Sequence, residues 1–396
     1  MKATTSSRVG TWQPEQRVAR AAPASMPRRM VAFARIAAAD AVGRRRPLAD
    51  PHAHLEAAVG WLKRAHDMGQ GGGVSYGYSL HAKWRPPYAE TSGYIASTFF
   101  DLAERSGDSD ARTRALAICR WLCTVQNADG SIANPTYGES GIVFDTGQVL
   151  EGFVRAFRET GDAAFLAAAS RAGTWLVTVA DQDGRWTRNT FRGIPHVYNT
   201  RTAWLLLTSR AIDPGAEYER VARANLDWAL EQQSPEGWFD NCAFRAGVAP
   251  FTHTIAYAIE GLLGAGLLLD EPRYVDAARR AAEAALRHLR SDGFVPGQID
   301  SAGHSAASYA CLTGNCQLAA VWARLYERFG EERFRSAAVL ALRYVMRCQE
   351  MNTADLDVGG AIKGSQPLWG RYAPFTFPSW ASKFFVDAML LAAGWF

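Results

Sequence analysis

Trp121-Leu122-Cys123-Thr124-Val125-Gln126-Asn127-Ala128-Asp129-Gly130 is the stretch that decides the architecture. A helical run ends near a tryptophan and gives way to a polar turn with Gln and Asp-Gly. The phrase recurs as Trp61-Leu62, as Trp175-Leu176 with Asp183-Gly184, and as Trp228 with Gln232, Gln233 and Gly237-Trp238. A fifth copy has lost its tryptophan but keeps Asp292-Gly293, and a sixth has Tyr344 with Gln349 behind it. The spacing, roughly 53 to 60 residues, is too long for one helix and suits a helical hairpin plus a long loop. Gly130, Gly184, Gly237 and Gly293 stand about nine residues after the anchor position, which reads as a helix C-terminal stop.

Between anchors the order is constant. A long irregular stretch follows each Asp-Gly turn, and a helix start rich in Thr, Ser, Asp or Asn comes next, as in Thr91-Ser92-Gly93-Tyr94, Asp145-Thr146-Gly147-Gln148 and Thr252-His253-Thr254. Such residues cap free helix N–H groups. The helices they open are apolar nearly all round, which predicts burial. A short turn such as Thr160-Gly161-Asp162 then leads to an amphipathic, Ala- and Arg-rich helix such as Arg273–Leu289. Six inner–outer hairpins over residues 51–396 predict an all-α fold, an (α/α)6 toroid. Its long loops precede the inner helices and share one face, where repeat scaffolds build sites.

Composition agrees with a globular chain: 48% hydrophobic and 21% charged residues in 396. No apolar run reads as a membrane span. The net charge of +4 is concentrated in residues 1–50, where Arg8, Arg17, Arg20, Arg28, Arg29, Arg35, Arg44, Arg45 and Arg46 face only Glu15, Asp40 and Asp50. This is read as a basic extension, a poorly ordered leader or an added helix over Met26–Val42 rather than a nucleic-acid arm. It lacks the apolar core of a secretory signal, and the expectation is a cytoplasmic protein. The six cysteines contain no C-x-x-C pair and read as buried thiols.

Several segments resemble an uncharacterised bacterial family of six-hairpin toroids, whose members often carry prenyltransferase or squalene-cyclase repeat labels and occur in polysaccharide contexts. They include Gly72-Gly73-Val74-Ser75-Tyr76-Gly77-Tyr78, Tyr88-Ala89-Glu90-Thr91-Ser92, Phe144-Asp145-Thr146-Gly147-Gln148, Pro195-His196-Val197-Tyr198-Asn199-Thr200-Arg201, Gly237-Trp238-Phe239-Asp240-Asn241-Cys242 and Gly370-Arg371-Tyr372. The resemblance implies the toroid but no settled activity. At fold level the chain is similar to toroid glycosidases, uronate lyases and sugar epimerases, an analogy only.

The loops and inner-helix starts hold the candidate chemistry. Glu90, Asp145, His196, Asp240 and His253 are the candidate acids and bases. Tyr76, Tyr78, Trp84, Gln148, Tyr198, Asn199, Arg201, Trp238, Asn241, Asp300, Asn315, Lys363, Arg371 and Tyr372 are candidate substrate contacts. Aromatic faces beside polar groups suit a sugar. Three chemistries and one non-catalytic role compete. Glycoside hydrolysis needs two carboxyl groups, roughly 6.5–9.5 Å apart in an inverting enzyme; Glu90 and Asp145 lead, although both also suit a capping role. Uronate elimination or C5-epimerisation needs a carboxylate neutraliser, here Asn199 with Arg201, and a base from His196, Tyr198, His253 or Tyr257. Isoprenoid chemistry has only a weak trace in Asp240-Asn241-Cys242 with His304. A carbohydrate-binding module needs the aromatics alone. Hydrolysis leads. The substrate is read as a carbohydrate, with anionic ones among the candidates, and no cofactor, metal or nucleic acid is called for. The oligomeric state stays open.

Overall fold

The computed structural model describes residues 26–43, 46–134, 138–214, 217–351, 353 and 355–396. Arg8, Arg17, Arg20, Arg44 and Arg45 of the basic segment lie outside the described residues. Helix α1 (Met26–Ala41) comes first and α2 (Pro51–Met68) is the first outer helix. Strands β1 (Gly77–Ser79) and β2 (Lys83–Trp84) lead to inner α3 (Ala89–Ser106) and outer α4 (Ser109–Val125). Inner α5 (Val143–Thr160) pairs with α6 (Ala163–Val179), α7 (Thr200–Thr208) with α8 (Tyr218–Glu231), and α9 (Thr252–Leu269) with α10 (Pro272–Leu286). Strand β3 (Ala310–Cys311) precedes inner α11 (Leu312–Phe329) and outer α12 (Glu332–Met346). Strands β4 (Ser365–Gln366) and β5 (Thr376–Pro378) precede the last inner helix, α13 (Ser379–Leu391). The sixth pair is α13 against α2, so the two ends of the chain close the ring. The molecule is an all-α (α/α)6 toroid. On the loop face, β1 pairs antiparallel with β5, Tyr78 opposite Phe377, and repeats that closure.

The turn glycines do not stop the outer helices. Helices α4, α6, α8 and α10 reach their C-caps at Gln126, Ala180, Gln232 and Arg287, several residues earlier. Each glycine instead sits at positive φ in a tight turn and lies against the backbone of the next outer helix: Gly130 at Arg171, Gly184 at Ala224, Gly237 at Arg280, Gly293 at Leu340, and Gly360 at Ala57 where the ring closes. A Cβ would stand 2.1–2.7 Å from those atoms. The recurring glutamine explains itself in the same place. Gln126 Nε2 donates to Gly130 O and Ala168 O, both at 2.9 Å, and Gln349 Nε2 donates to Gly360 O at 2.7 Å and His54 O at 3.1 Å. Gln, Gly and the aromatic anchor thus form the joint between neighbouring hairpins. The stop glycines belong to the inner helices, where Gly107, Gly161 and Gly330 are left-handed caps.

This gives an internal comparison. Gly330→Ala places a Cβ in open space at φ 70°, so it is expected to cost about 1 kcal/mol in left-handed strain alone. Gly360→Ala adds a contact 2.1 Å from Ala57 O, and overpacking raises its cost to about 3 kcal/mol or more. Equal urea midpoints for the two variants would refute the joint.

The polar inner-helix starts also work differently from the expectation. Helices α3, α5, α7, α9 and α13 have no side-chain cap bond. Their hydroxyls tether the preceding loops: Val74 N donates to Ser92 Oγ at 2.9 Å, Ile132 N to Thr146 Oγ1 at 2.9 Å and Ile362 N to Ser382 Oγ at 3.1 Å. Thr252–Leu269 is long and apolar enough to cross a membrane, contrary to the sequence reading, but it is an inner helix with 83% of that window buried.

Helix α1 covers the outside of the closure. Phe33 and Ile36 are buried, and the Phe33 ring meets Phe377 edge-on at 5.7 Å. Asp40, at its end, accepts from Lys363 Nζ with both oxygens at 2.7 Å, from Gln366 Nε2 at 2.9 Å and from Leu368 N at 2.8 Å.

Candidate active site

A cavity of about 580 Å³ opens among the long loops, within the usual range for a small-ligand site. Its acidic wall is built from two adjacent inner helices. Glu90 is in the first turn of α3 and Asp145 in the first turn of α5. Between them stands Tyr88, the residue just before α3. Its phenol donates to Glu90 Oε2 and lies 3.3 Å from Asp145 Oδ2. Asn134 Nδ2 donates to Tyr88 Oη at 2.6 Å and to Asp145 Oδ2 at 3.0 Å. Both carboxyls therefore touch one phenol oxygen, and their nearest oxygens are within about 6 Å, two hydrogen-bond lengths.

Burial sets the protonation of this pair. Protein atoms surround Glu90 although its side chain is open to the cavity, and burial pushes its carboxyl up to about 7 against the lowering effects of Tyr88 and Arg201. Asp145 is raised well above the usual carboxylate range, first by burial and then by the nearby Glu90 charge. Two acids this close and this dry do not both ionise at neutral pH. One protonated and one ionised carboxyl is the combination that acid–base chemistry needs.

The opposite wall carries His253, in the first turn of α9. Its Nδ1 lies 2.6 Å from Gln317 Oε1, which assigns the proton to Nδ1. Burial lowers its pKa to about 4, so the ring is neutral. Tyr257 and Tyr372 flank it at 4.4 and 5.2 Å. Aromatic rings make up much of the remaining wall. Tyr76 meets Trp380 edge-on at 4.6 Å, Phe144 meets Tyr198 at 5.3 Å, and Phe191 meets Phe244 at 5.3 Å. Two cations, Arg85 and Arg371, also line the cavity. The Arg85 guanidinium sits 3.8 Å over the Tyr76 ring, and neither arginine makes a salt bridge among the described residues.

Of the sequence candidates, Glu90, Asp145, His253, Tyr257, Tyr76, Tyr198, Arg371 and Tyr372 line this cavity. The others do not. Arg201 lies beneath the floor, with Gln148 Oε1 at 2.7 Å, Glu260 at 2.8 Å and Glu151 at 2.9 Å; these partners occupy it as a ring-closing cation, and Asn199 is buried beside it in the sequence with no place in the cavity wall. His196 has its ring nitrogens 2.8 Å from Phe191 O and 3.1 Å from Ala243 O and stacks on Tyr198 at 4.5 Å. It braces the wall from behind. Tyr78 is core packing, and Trp84 donates to Asp357 Oδ1 at 2.9 Å. Trp238 is buried against His288, Asp240 is exposed, and Asn241 bonds Gln232 Oε1 at 2.8 Å. Asp300 shapes its own turn by accepting from His304 N at 2.7 Å. Asn315 donates to the Gly293 carbonyl at 3.0 Å, and Lys363 holds Asp40. Asp240, Cys242 and His304 form no metal-binding group among the described residues. The sequence reading missed Tyr88, Asn134, Arg85 and Phe144 as site residues, although Tyr88 stands two residues before Glu90.

No family model matches the sequence, and no curated protein sequence matches it. Solved structures do. An unsaturated glucuronyl hydrolase from Bacillus sp. GL1, described as responsible for the degradation of glycosaminoglycan, superposes with a TM-score of 0.69 at 16% identity over 87% of this chain and 97% of that one. An unsaturated glucuronyl hydrolase specific for heparin gives 0.68 at 15% identity over 86% and 96%. A variant of the Streptococcus agalactiae unsaturated glucuronyl hydrolase, in complex with dGlcA-GalNAc6S, gives 0.64 at 12% over 87% and 93%. At these identities the likeness establishes the toroid.

Proposed function

We propose that this protein is a glycoside hydrolase that releases a uronyl residue from the end of an oligosaccharide of bacterial or glycosaminoglycan type. One observation carries the reading: two carboxyls whose pKa values are both raised, joined through Tyr88, face an aromatic-lined cavity. The protonated member gives its proton to the glycosidic oxygen. The ionised member takes a proton from the water that attacks the sugar carbon. The rings supply faces for sugar C–H groups. Arg85 and Arg371 suit a carboxylate or sulfate, and the neighbours of like fold are named for glucuronyl substrates. Elimination or epimerisation is less well served, because the cation assigned to neutralise the substrate carboxylate, Arg201, is held by Glu151 and Glu260 below the floor.

The test is turnover of unsaturated glucuronyl disaccharides beside their saturated and neutral counterparts, read as new reducing ends. A gain in ultraviolet absorbance from a saturated uronate would instead identify a lyase. Removing a charge-assisted contact of roughly 1.5–3 kcal/mol predicts that Arg85→Ala and Arg371→Ala each lower kcat/KM for the uronyl substrate roughly 10- to 100-fold. A neutral glycoside should be affected far less. Equal losses on both would remove the anionic-substrate assignment.

A further inference from the structure

Tyr88 is placed to do more than fill space between two acids. It precedes α3 with its backbone fixed: its N donates to Val74 O at 3.0 Å and its carbonyl accepts from Ser92 Oγ at 2.7 Å. Its ring packs on Tyr76 at 5.6 Å. The phenol oxygen reaches Glu90 Oε2 and Asp145 Oδ2, and Asn134 Nδ2 holds both that oxygen and Asp145 Oδ2. Other ionisable groups near the pair are Arg201 below, and Tyr76, Tyr94 and Tyr257 around it.

We propose that the Tyr88 hydroxyl is the proton conduit that resets the Glu90–Asp145 pair after each turnover. The inference rests on the hydrolase reading. With Asp145 as acid and Glu90 as base, hydrolysis leaves Asp145 ionised and Glu90 protonated, the reverse of the starting state. Glu90 then gives its proton to Tyr88 Oη as the Tyr88 O–H proton passes to Asp145 Oδ2. One O–H bond breaks and one forms at the phenol, so Tyr88 is unchanged and no outside acid or base is consumed. The route matters because Asp145 is buried while Glu90 reaches the cavity, and the phenol already touches both. Tyr88 acts through the carboxyls and is a positioning residue.

Tyr88→Phe keeps the ring and removes the conduit. With the unsaturated glucuronyl disaccharide as probe, and each protein assayed above its own carboxyl midpoint, the first turnover should slow far less than steady-state turnover does. Steady-state kcat should then fall at least about tenfold, the usual scale of a proton-transfer contribution, and imidazole in the buffer should restore it. A first turnover and kcat that fall together, without rescue by imidazole, would reduce Tyr88 to a structural role and overturn the proposal. So would an unchanged kcat. A second measurement needs no substrate. Infrared titration of the protonated carboxyl band should show its midpoint moving upward in the variant, because the pair loses the phenol donor that Glu90 accepts from. An unmoved midpoint means that the phenol does not join the pair, and this sinks the conduit alone. Wild-type protein that turns over no glycoside, with the midpoint still moving, sinks the hydrolase reading and with it the turnover that the conduit serves.

Discussion

Glu90→Gln is expected to lower turnover about 10²- to 10⁴-fold, the range of a general acid or base, and to stabilise the folded protein above neutral pH. The sign follows from burial. The Glu90 carboxyl is raised to about 7 from an ordinary value of 4.5. A folded-state pKa above the unfolded one means that stability is fully present below the unfolded value and is lost as pH rises through the folded one. Ionising Glu90 between pH 4.5 and above 7 therefore costs the wild type up to about 3 kcal/mol, at 1.36 kcal/mol per unit. The amide keeps an acceptor for the Tyr88 hydroxyl and never ionises. Asp145 still titrates, so the Tm of Glu90→Gln should decline from pH 6 to pH 8.5 less steeply than that of the wild type. Asp145→Asn should behave alike in direction. Loss of activity with no gain in stability at pH 8.5 would mean that Glu90 is not held in a costly state. Retained turnover in both variants would remove the carboxyl pair from the chemistry.

This coupling of site and stability is visible only in part from the sequence. The toroid was legible because its joints repeat: the aromatic anchor, the glutamine and the turn glycine recur together, and they recur because the same helix–helix contact is made again and again around the ring. What the repeat could not tell was the local geometry of each member. The turn glycines read as helix stops, yet close approach to the next outer helix, a contact at least 40 residues away in the chain, is what requires them. The site was legible where a residue stands in the first turn of an inner helix and projects upward, as Glu90, Asp145 and His253 do. Arg201 and Asn315 hold similar positions and face inward, where Glu151, Glu260 and the Gly293 carbonyl receive them. Which way such a residue turns depends on partners from other repeats, and no spacing in one chain segment encodes that. Trp238 and Asn241 are turned to His288 and Gln232 near their own turn, while Phe244, a few residues later in the same loop, reaches the cavity.

Asp40→Ala is expected to produce the largest loss of stability, although its helix precedes the ring. Asp40 and Lys363 are both buried, with side-chain exposures of 5% and 2%. Removing one member of a buried ion pair leaves an uncompensated charge and costs about 3–5 kcal/mol. Here the aspartate also receives Gln366 Nε2 and Leu368 N, so its loss leaves three donors without their acceptor. Lys363→Met removes only one of those donors and lets Asp40 keep the other two, and it should cost less than Asp40→Ala. That asymmetry separates a hub aspartate from a simple ion pair. The damage should also reach the cavity, because the segment that Asp40 holds continues into Arg371 and Tyr372, which line it. Asp40→Ala should therefore raise KM for an anionic substrate under conditions where the protein is still folded. Urea unfolding and steady-state kinetics measured together decide the matter. A stability within about 1 kcal/mol of wild type, the level of an exposed pair, or a greater loss in Lys363→Met, would mean that α1 is an appendage rather than a strut for the sixth loop.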